Sequence, residues 1–201
     1  MDLLPLVLSA GGWTPSGTAD GRQDSVPERA PCRFCGFHAE HWMQPCDDGR
    51  GHPIPACLHC HLCRHLDRPT IGTEASLVWM PEVSQAALIA IVRRLHVICA
   101  RHEASPAMDS IPRSREPALL QAWGLHAALL QRVSLAERRL GSASIGDLCA
   151  AFAGMTDITA SARASLLGGL RLLPRGRFFR DGRDVYPALL AEISKPSGAV
   201  A

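Results

Sequence analysis

No stretch of this 201-residue sequence reaches the ~18 uninterrupted apolar residues that a membrane-spanning helix requires, so no direct membrane insertion is expected. An excess of charge of one sign is missing too. Lys and Arg number 21 against 19 Asp and Glu, a formal net charge of +2. That is too little for strong nucleic-acid binding, although a local basic patch is compatible with it. There is no G-x-S-x-G turn, no Walker A lysine motif and no G-x-G-x-x-G loop, so the common hydrolase and nucleotide-binding templates fall away. Internal repeats and heptads are also lacking. What remains, 47% apolar and 20% charged residues, suits an ordinary globular chain of one domain, or a small domain with an appendage.

The opening stretch "MDLLPLVLSAGGW" has an apolar centre but no positive leader, since residue 2 is Asp. Its run Leu3–Leu8 is shorter than a secretory core and contains Pro5. It reads as an early strand or docking segment. The expected location is therefore the cytoplasm, where thiols stay reduced. This turns the eight cysteines away from a disulfide framework and toward metal.

Two knuckles carry the strongest signal: "CRFCG" at 32–36 and "CLHCHLC" at 57–63. A C-x-x-C turn presents two thiolates to one ion from a single bend, and a structural zinc takes four such donors. Cys32 and Cys35 form the first pair, with Gly36 and Phe37 as turn residue and apolar seal. The second pair is Cys57 with Cys60 or Cys60 with Cys63; Cys57 and Cys60 are favoured, with Cys63 in reserve. One structural Zn2+ is the expected cofactor. Such a site contributes on the order of 10–16 kcal/mol of apparent folding energy in small zinc peptides. A roughly thirty-residue segment with few large apolar side chains has no comparable source. Cys99 and Cys149 lie in helical stretches and read as small core residues. His38, His41, His52, His59, His61 and His65 surround the knuckles and read as surface or supporting side chains rather than, with Cys46, a second metal site.

Along the chain, 1–31 is expected to be an N-terminal segment and flexible linker, rich in Gly, Ser, Thr and Pro from residue 11. Residues 32–102 form the zinc module with a strand and the first long helix. In "EASLVWMPE", Ala75, Leu77 and Trp79 share one side of an extended segment that Pro81 stops. Ser84 caps a helix through "QAALIAIVRRLHVICARH", with Leu88, Ile91, Val92, Leu95 and Ile98 as its core stripe. Residues 103–117 read as a second linker, and 118–201 as a helical region. There, "ALLQAWGLHAALLQRVSLAERRLG" makes one helix ending at Gly141. "SIGDLCAAFAG" and "TASARASLLGGLRLLP" make shorter ones, the latter closed by Pro174, and a loop leads to a last amphipathic helix. The expected fold class is α+β, mostly helical: a small four-cysteine zinc-knuckle module with short strands, followed by a C-terminal helical region.

The order C-x-x-C … C-x-x-C-H is shared with the knuckles that frame HNH-type nucleases, which place a general-base histidine on a hairpin between them. Here that interval is "FHAEHWMQPCDDGRGHPIPA". No His follows Asp47 or Asp48, and Pro45, Gly49, Gly51, Pro53 and Pro55 are expected to break up a regular hairpin. His61 alone cannot assemble a catalytic site, and four thiolates on one zinc leave no position for water.

"PLVLSA", "CRFCGF", "ACLHCHLCRHLD", "LVWMPEVSQAAL", "RRLGSASIGDL" and "LRLLPRGRF" occur in that order. The series resembles the IcmJ/DotN family of Dot/Icm type IVB secretion systems over nearly the whole chain, with gaps at 11–31 and 103–117. The resemblance implies a non-enzymatic subunit of the coupling complex, with an inactive, degenerate HNH-like zinc module whose ligands carry over to Cys32, Cys35, Cys57 and Cys60. The family pattern also has a cysteine at the position of Cys63, so the resemblance does not decide the second pair. It also implies partners: the cytoplasmic tail of the coupling ATPase and other small adaptor subunits. Through that complex the chain would lie peripheral to the inner membrane. The chain departs from the family in its Pro/Gly-rich interval before Cys57. The residues themselves also describe a binding module. Arg175, Arg177 and Arg180 around Phe178 and Phe179, with Arg171 and Arg183, offer one candidate contact surface, the alternative being a solvated basic loop salted with Asp181 and Asp184. "LVWMPE" is a second candidate, whose Trp79 and Met80 read more readily as core. The competing readings are an HNH-type metal-dependent endonuclease and a nucleic-acid-binding zinc module.

Overall fold

The computed structural model describes residues 3–10, 30–39, 42–48, 52–155 and 167–194. The expected linker over 11–29 and the helix start at 159–166 lie outside them.

The interval expected to defeat a hairpin forms one. β1 (Met43–Asp47) and β2 (Pro53–Cys57) pair antiparallel, with Pro45 opposite Pro55 and Asp47 opposite Pro53. In such a ladder only alternate pairs exchange N–H···O=C bonds. The flanking bonds, Leu58 N–H to the Trp42 carbonyl and Asp48 N–H to the His52 carbonyl, place the bonded pairs at even-numbered positions. All three prolines are odd-numbered, so none removes a ladder donor. Their outward carbonyls are then available: that of Pro55 accepts from Arg33 N–H at 2.9 Å. Helix α1 (Leu58–Arg64) follows β2 directly.

After a single helical turn, α2 (Ile71–Glu74), comes β3 (Ala75–Trp79). Its partner is β4 (Leu170–Pro174), paired antiparallel with Leu77 opposite Leu172. This corrects the helix expected to end at Pro174. An apolar "LRLLP" suits a buried strand as well as a helix, and the long-range pairing decides. Alternation puts Ala75 and Leu77 with Leu170 and Leu172 on one face, and Val78 and Leu173 on the other. The first face joins the zinc-knuckle segment, α6 (Ile145–Ala153) and α7 (Tyr186–Ser194) in one core. The second packs on α3 (Gln85–Arg101) and α4 (Pro117–Leu130).

α3 begins where expected, with the Ser84 hydroxyl accepting from Ala87 N–H. It is buried on two sides. Leu88, Val92, Leu95 and Cys99 enter the α4 cluster, whereas Ile89 and His96 face the opposite core. Gln85 finishes the sheet: its amide donates to the Leu172 carbonyl and accepts from Leu172 N–H, both at 2.8 Å, as a third strand would.

The single helix expected over 118–141 is two, α4 and α5 (Val133–Leu140), the latter ending at Gly141 in the left-handed conformation. Between them the Arg132 carbonyl accepts from Trp79 N–H, so the strand claims a group that a continuous helix would use. The segment 103–117 packs against the body, with Ala107 and Met108 buried. Its Pro106–Ala107 backbone lies against Gly176 (φ 65°), where a Cβ would stand 2.2 Å from the Pro106 carbonyl oxygen. Before α7 the chain makes a minimal hairpin, β5 (Phe179–Arg180) with β6 (Arg183–Asp184), in place of a plain loop. The fold is mixed α/β with short antiparallel strands and a four-cysteine cluster.

Candidate metal centre

The first knuckle is a turn closed by Gly36 N–H to the Cys32 carbonyl and Cys32 N–H to the Phe37 carbonyl, with Gly36 at φ 70°. Residues 3–10 dock on it as extended chain: Leu4 N–H donates to Arg33, Ser9 N–H to Cys63, and Leu66 N–H to Ser9. The N-terminal stretch is thus the docking segment that its apolar residues suggest. The second knuckle is the junction of β2 with α1. Cys57 is the N-cap, in extended conformation, and Cys60 lies in the first helical turn, so the two thiols converge.

The sulfurs of Cys32, Cys35, Cys57 and Cys60 all lie within 4.8 Å of one another, and Cys35 and Cys57 are 3.6 Å apart. Disulfide sulfurs would be ~2 Å apart. Sulfurs at the corners of a tetrahedron with metal–sulfur bonds of ~2.3 Å stand ~3.8 Å apart. The spacing therefore fits four thiolates around one ion. Cys63 stays outside this group, one turn further along α1, and is buried without it. The four thiols are crowded: hydrogen bonds with Cys35, Cys57 and Cys60 push the Cys32 thiol far below its ordinary value, while those with Cys32 and Cys35 raise Cys57 and Cys60. A cation would neutralise this crowd and allow all four to ionise. Among the described residues no other group of three or more His, Cys, Asp or Glu is placed to hold a metal.

A buried aromatic and imidazole layer supports the centre. Trp42, just before β1, is fully buried, donates to the Leu189 carbonyl at 3.0 Å and stands edge-on to Phe37, His59 and Tyr186. His96 Nδ1 is 2.7 Å from the Tyr186 hydroxyl, and the His59, His96 and His126 rings follow in a row with centroids 6.1 Å apart. Burial holds His59 down to about 3. The sequence reading missed Trp42, His96 and Tyr186. A polar ring on the second side of α3 was the available signal. His61 is buried against His65 and Phe178, and its ring bonds the Pro45 carbonyl. His52 lies 3.2 Å from Asp48 at the exposed end of the hairpin.

The arginine–phenylalanine stretch is built into the fold. Phe178 is buried between Arg68 and Arg180, and Arg175 and Arg177 both pair with Asp109. Phe179 lends its backbone to the buried Arg68–Glu74 ion pair: its N–H donates to Glu74 at 2.7 Å and its carbonyl accepts from Arg68 at 2.9 Å. Trp79 is half-buried beneath Arg139, and Met80 is core. No helix among the described residues is long and apolar enough to cross a membrane. The chain matches no protein-family model and no curated protein sequence.

Proposed function

We propose that the chain is a zinc-stabilised, non-enzymatic adaptor, a subunit of a type IVB coupling complex that binds the cytoplasmic tail of the coupling ATPase, acts beside other adaptor subunits and helps to recruit substrates. The observation that carries the reading is the closed set of four cysteines: four thiolates fill a tetrahedral ion, so the metal acts as scaffold and has no vacancy for water. Zinc is the natural ion for such a set, being redox-inert and content with tetrahedral sulfur. The motif series from "PLVLSA" to "LRLLPRGRF" supports the assignment to the secretion machine. Placement in the cytoplasm, at the membrane only through the complex, belongs to the same reading.

The test has two arms. Elemental analysis of the purified full chain should find one zinc per molecule, and chelation should unfold it; a metal-free protein of unchanged fold overturns the scaffold. Co-expression with the coupling ATPase should yield a complex that deletion of the ATPase's cytoplasmic tail abolishes; a chain that never associates with that tail overturns the adaptor role.

The β1–β2–α1 order between knuckles is an observation in favour of a second reading, an HNH-type endonuclease. It requires cleavage of plasmid DNA with Mg2+ or Mn2+, lost in His61→Ala. Intact plasmid across divalent metals ends it.

A further inference from the structure

We propose that the outward face of α4 is the docking site for an acidic amphipathic helix of a partner protein. The inference deepens the adaptor reading, and rests on it only in supposing a protein partner.

α4 has no charged residue in its 14 positions. Its inner side, with Leu119, Ala122 and Leu129, packs in the cluster with α3, and its outer side is nearly as apolar. Leu120 is 39% and Leu125 47% exposed, Gly124 and Ala128 are exposed with them, and Gln121 is the one polar residue of that face within the helix. A helix apolar all round belongs in an interior, and here half of it meets water. Gly124 sharpens the point. It lowers helix stability relative to alanine. Among the described residues nothing requires it, because a Cβ there would meet no atom within 4 Å and its φ is ordinary. With Ala128 one turn on, it leaves a shallow channel between Leu120 and Leu125 in which a second helix can lie close. A groove of about 320 Å³ on the Leu119–Trp123 side of the helix is separate from this channel, and is lined also by Glu103 and by Asp109, which Arg175 and Arg177 engage.

Charge selects the occupant. Residues 111–141 contain five arginines, Arg113, Arg115, Arg132, Arg138 and Arg139, against Glu116 and Glu137. Arg132 is engaged with Glu82 and Arg139 lies over Trp79, and among the described residues no ion pair occupies Arg113, Arg115 or Arg138. Arginine precedes α4 and recurs after it, so a second copy laid on this face in either direction would set arginine against arginine. A helix with a leucine-type stripe and Asp or Glu on its flanks satisfies both the apolar channel and its ends.

The test presents the full-length, metal-loaded chain to a displayed library of amphipathic 20-residue peptides with randomised flanking charge. Enriched binders should carry net negative charge and lose at least tenfold in affinity against Gly124→Gln and against Leu125→Glu. Gly124→Gln should meanwhile melt no lower than the parent, which separates a lost contact from a lost fold. Three results overturn the proposal: neutral or basic binders, binding unchanged in Gly124→Gln, or sedimentation as a dimer that Gly124→Gln dissociates. Any of these can occur with ATPase-tail association intact, and the selection can succeed while that association fails.

Discussion

Cys60 and Cys63 are one helical turn apart, yet only Cys60 enters the cluster with Cys32, Cys35 and Cys57. Three residues advance the chain ~4.5 Å along the helix, more than the slack in a tetrahedron of sulfurs. Cys60→Ala should therefore abolish stoichiometric metal, whereas Cys63→Ala should retain one ion per chain, as elemental analysis of both variants would report. A second residue-scale expectation concerns Arg68 and Glu74. Both are buried, joined by two hydrogen bonds of 3.0 and 2.8 Å, and they serve the Phe179 backbone as well. Removing one partner strands a charge in the interior, so Arg68→Met should cost about 3–5 kcal/mol in urea unfolding. The double variant Arg68→Met/Glu74→Leu should recover only part of that, because the Phe179 N–H and carbonyl still lose their partners.

Elements here are fixed in places by single backbone groups. Gln85 satisfies both outward groups of Leu172 on β4. Gln85→Leu keeps the volume and orphans the two groups, at a cost of roughly 1–3 kcal/mol each; chemical denaturation should show that loss with the metal still bound. The same dependence explains what the sequence could and could not convey. α3 was legible because a Ser N-cap and an apolar period agree there, with Ser84 accepting from Ala87 N–H; α6 was read as a short helix without the cap that Ser144 supplies by accepting from Asp147 N–H. The α5 terminus was legible in Gly141. The thiol ligands were legible from local spacing, but Cys57/Cys60 and Cys60/Cys63 have equal spacing, and only the start of α1 at Leu58 separates them. The hairpin was misjudged by counting prolines: their shared odd parity is what spares the ladder. β4 and the α4–α5 break were hidden because both are decided by β3, roughly fifty to a hundred residues away, through Leu77 opposite Leu172 and Trp79 N–H on Arg132. The burial of Phe178 and the anchoring of the Phe179 backbone were hidden because the acidic partner, Glu74, lies about a hundred residues earlier, while Arg175 and Arg177 stay about a third exposed.

At the scale of the whole molecule, one core joins the knuckles to the C-terminal helix, and imidazoles line the junction. This gives stability a definite pH dependence. His96 is held well below the ordinary histidine value of 6.5, first by burial and then by His59 and His126; Tyr186 hydrogen-bonds its other side. His126 is lowered by burial and by Arg175, with Asp109 opposing. The fold thus disfavours protonation of both rings, whereas the unfolded chain protonates them near 6.5. Unfolding below that pH takes up protons, so their contribution is complete above about pH 7.5 and lost as pH falls through 6.5, by at most ~1.4 kcal/mol per pH unit for each ring. The thiolates of a metal-loaded centre add proton uptake of their own, and a substitution separates the two sources. His126→Gln should unfold with fewer protons taken up than the parent between pH 6 and 5.5, and so with a shallower pH dependence, at equal metal content. Urea midpoints at matched pH values would measure this, and equal slopes for parent and variant would mean that His126 titrates alike in the folded and unfolded chain, contrary to its burial.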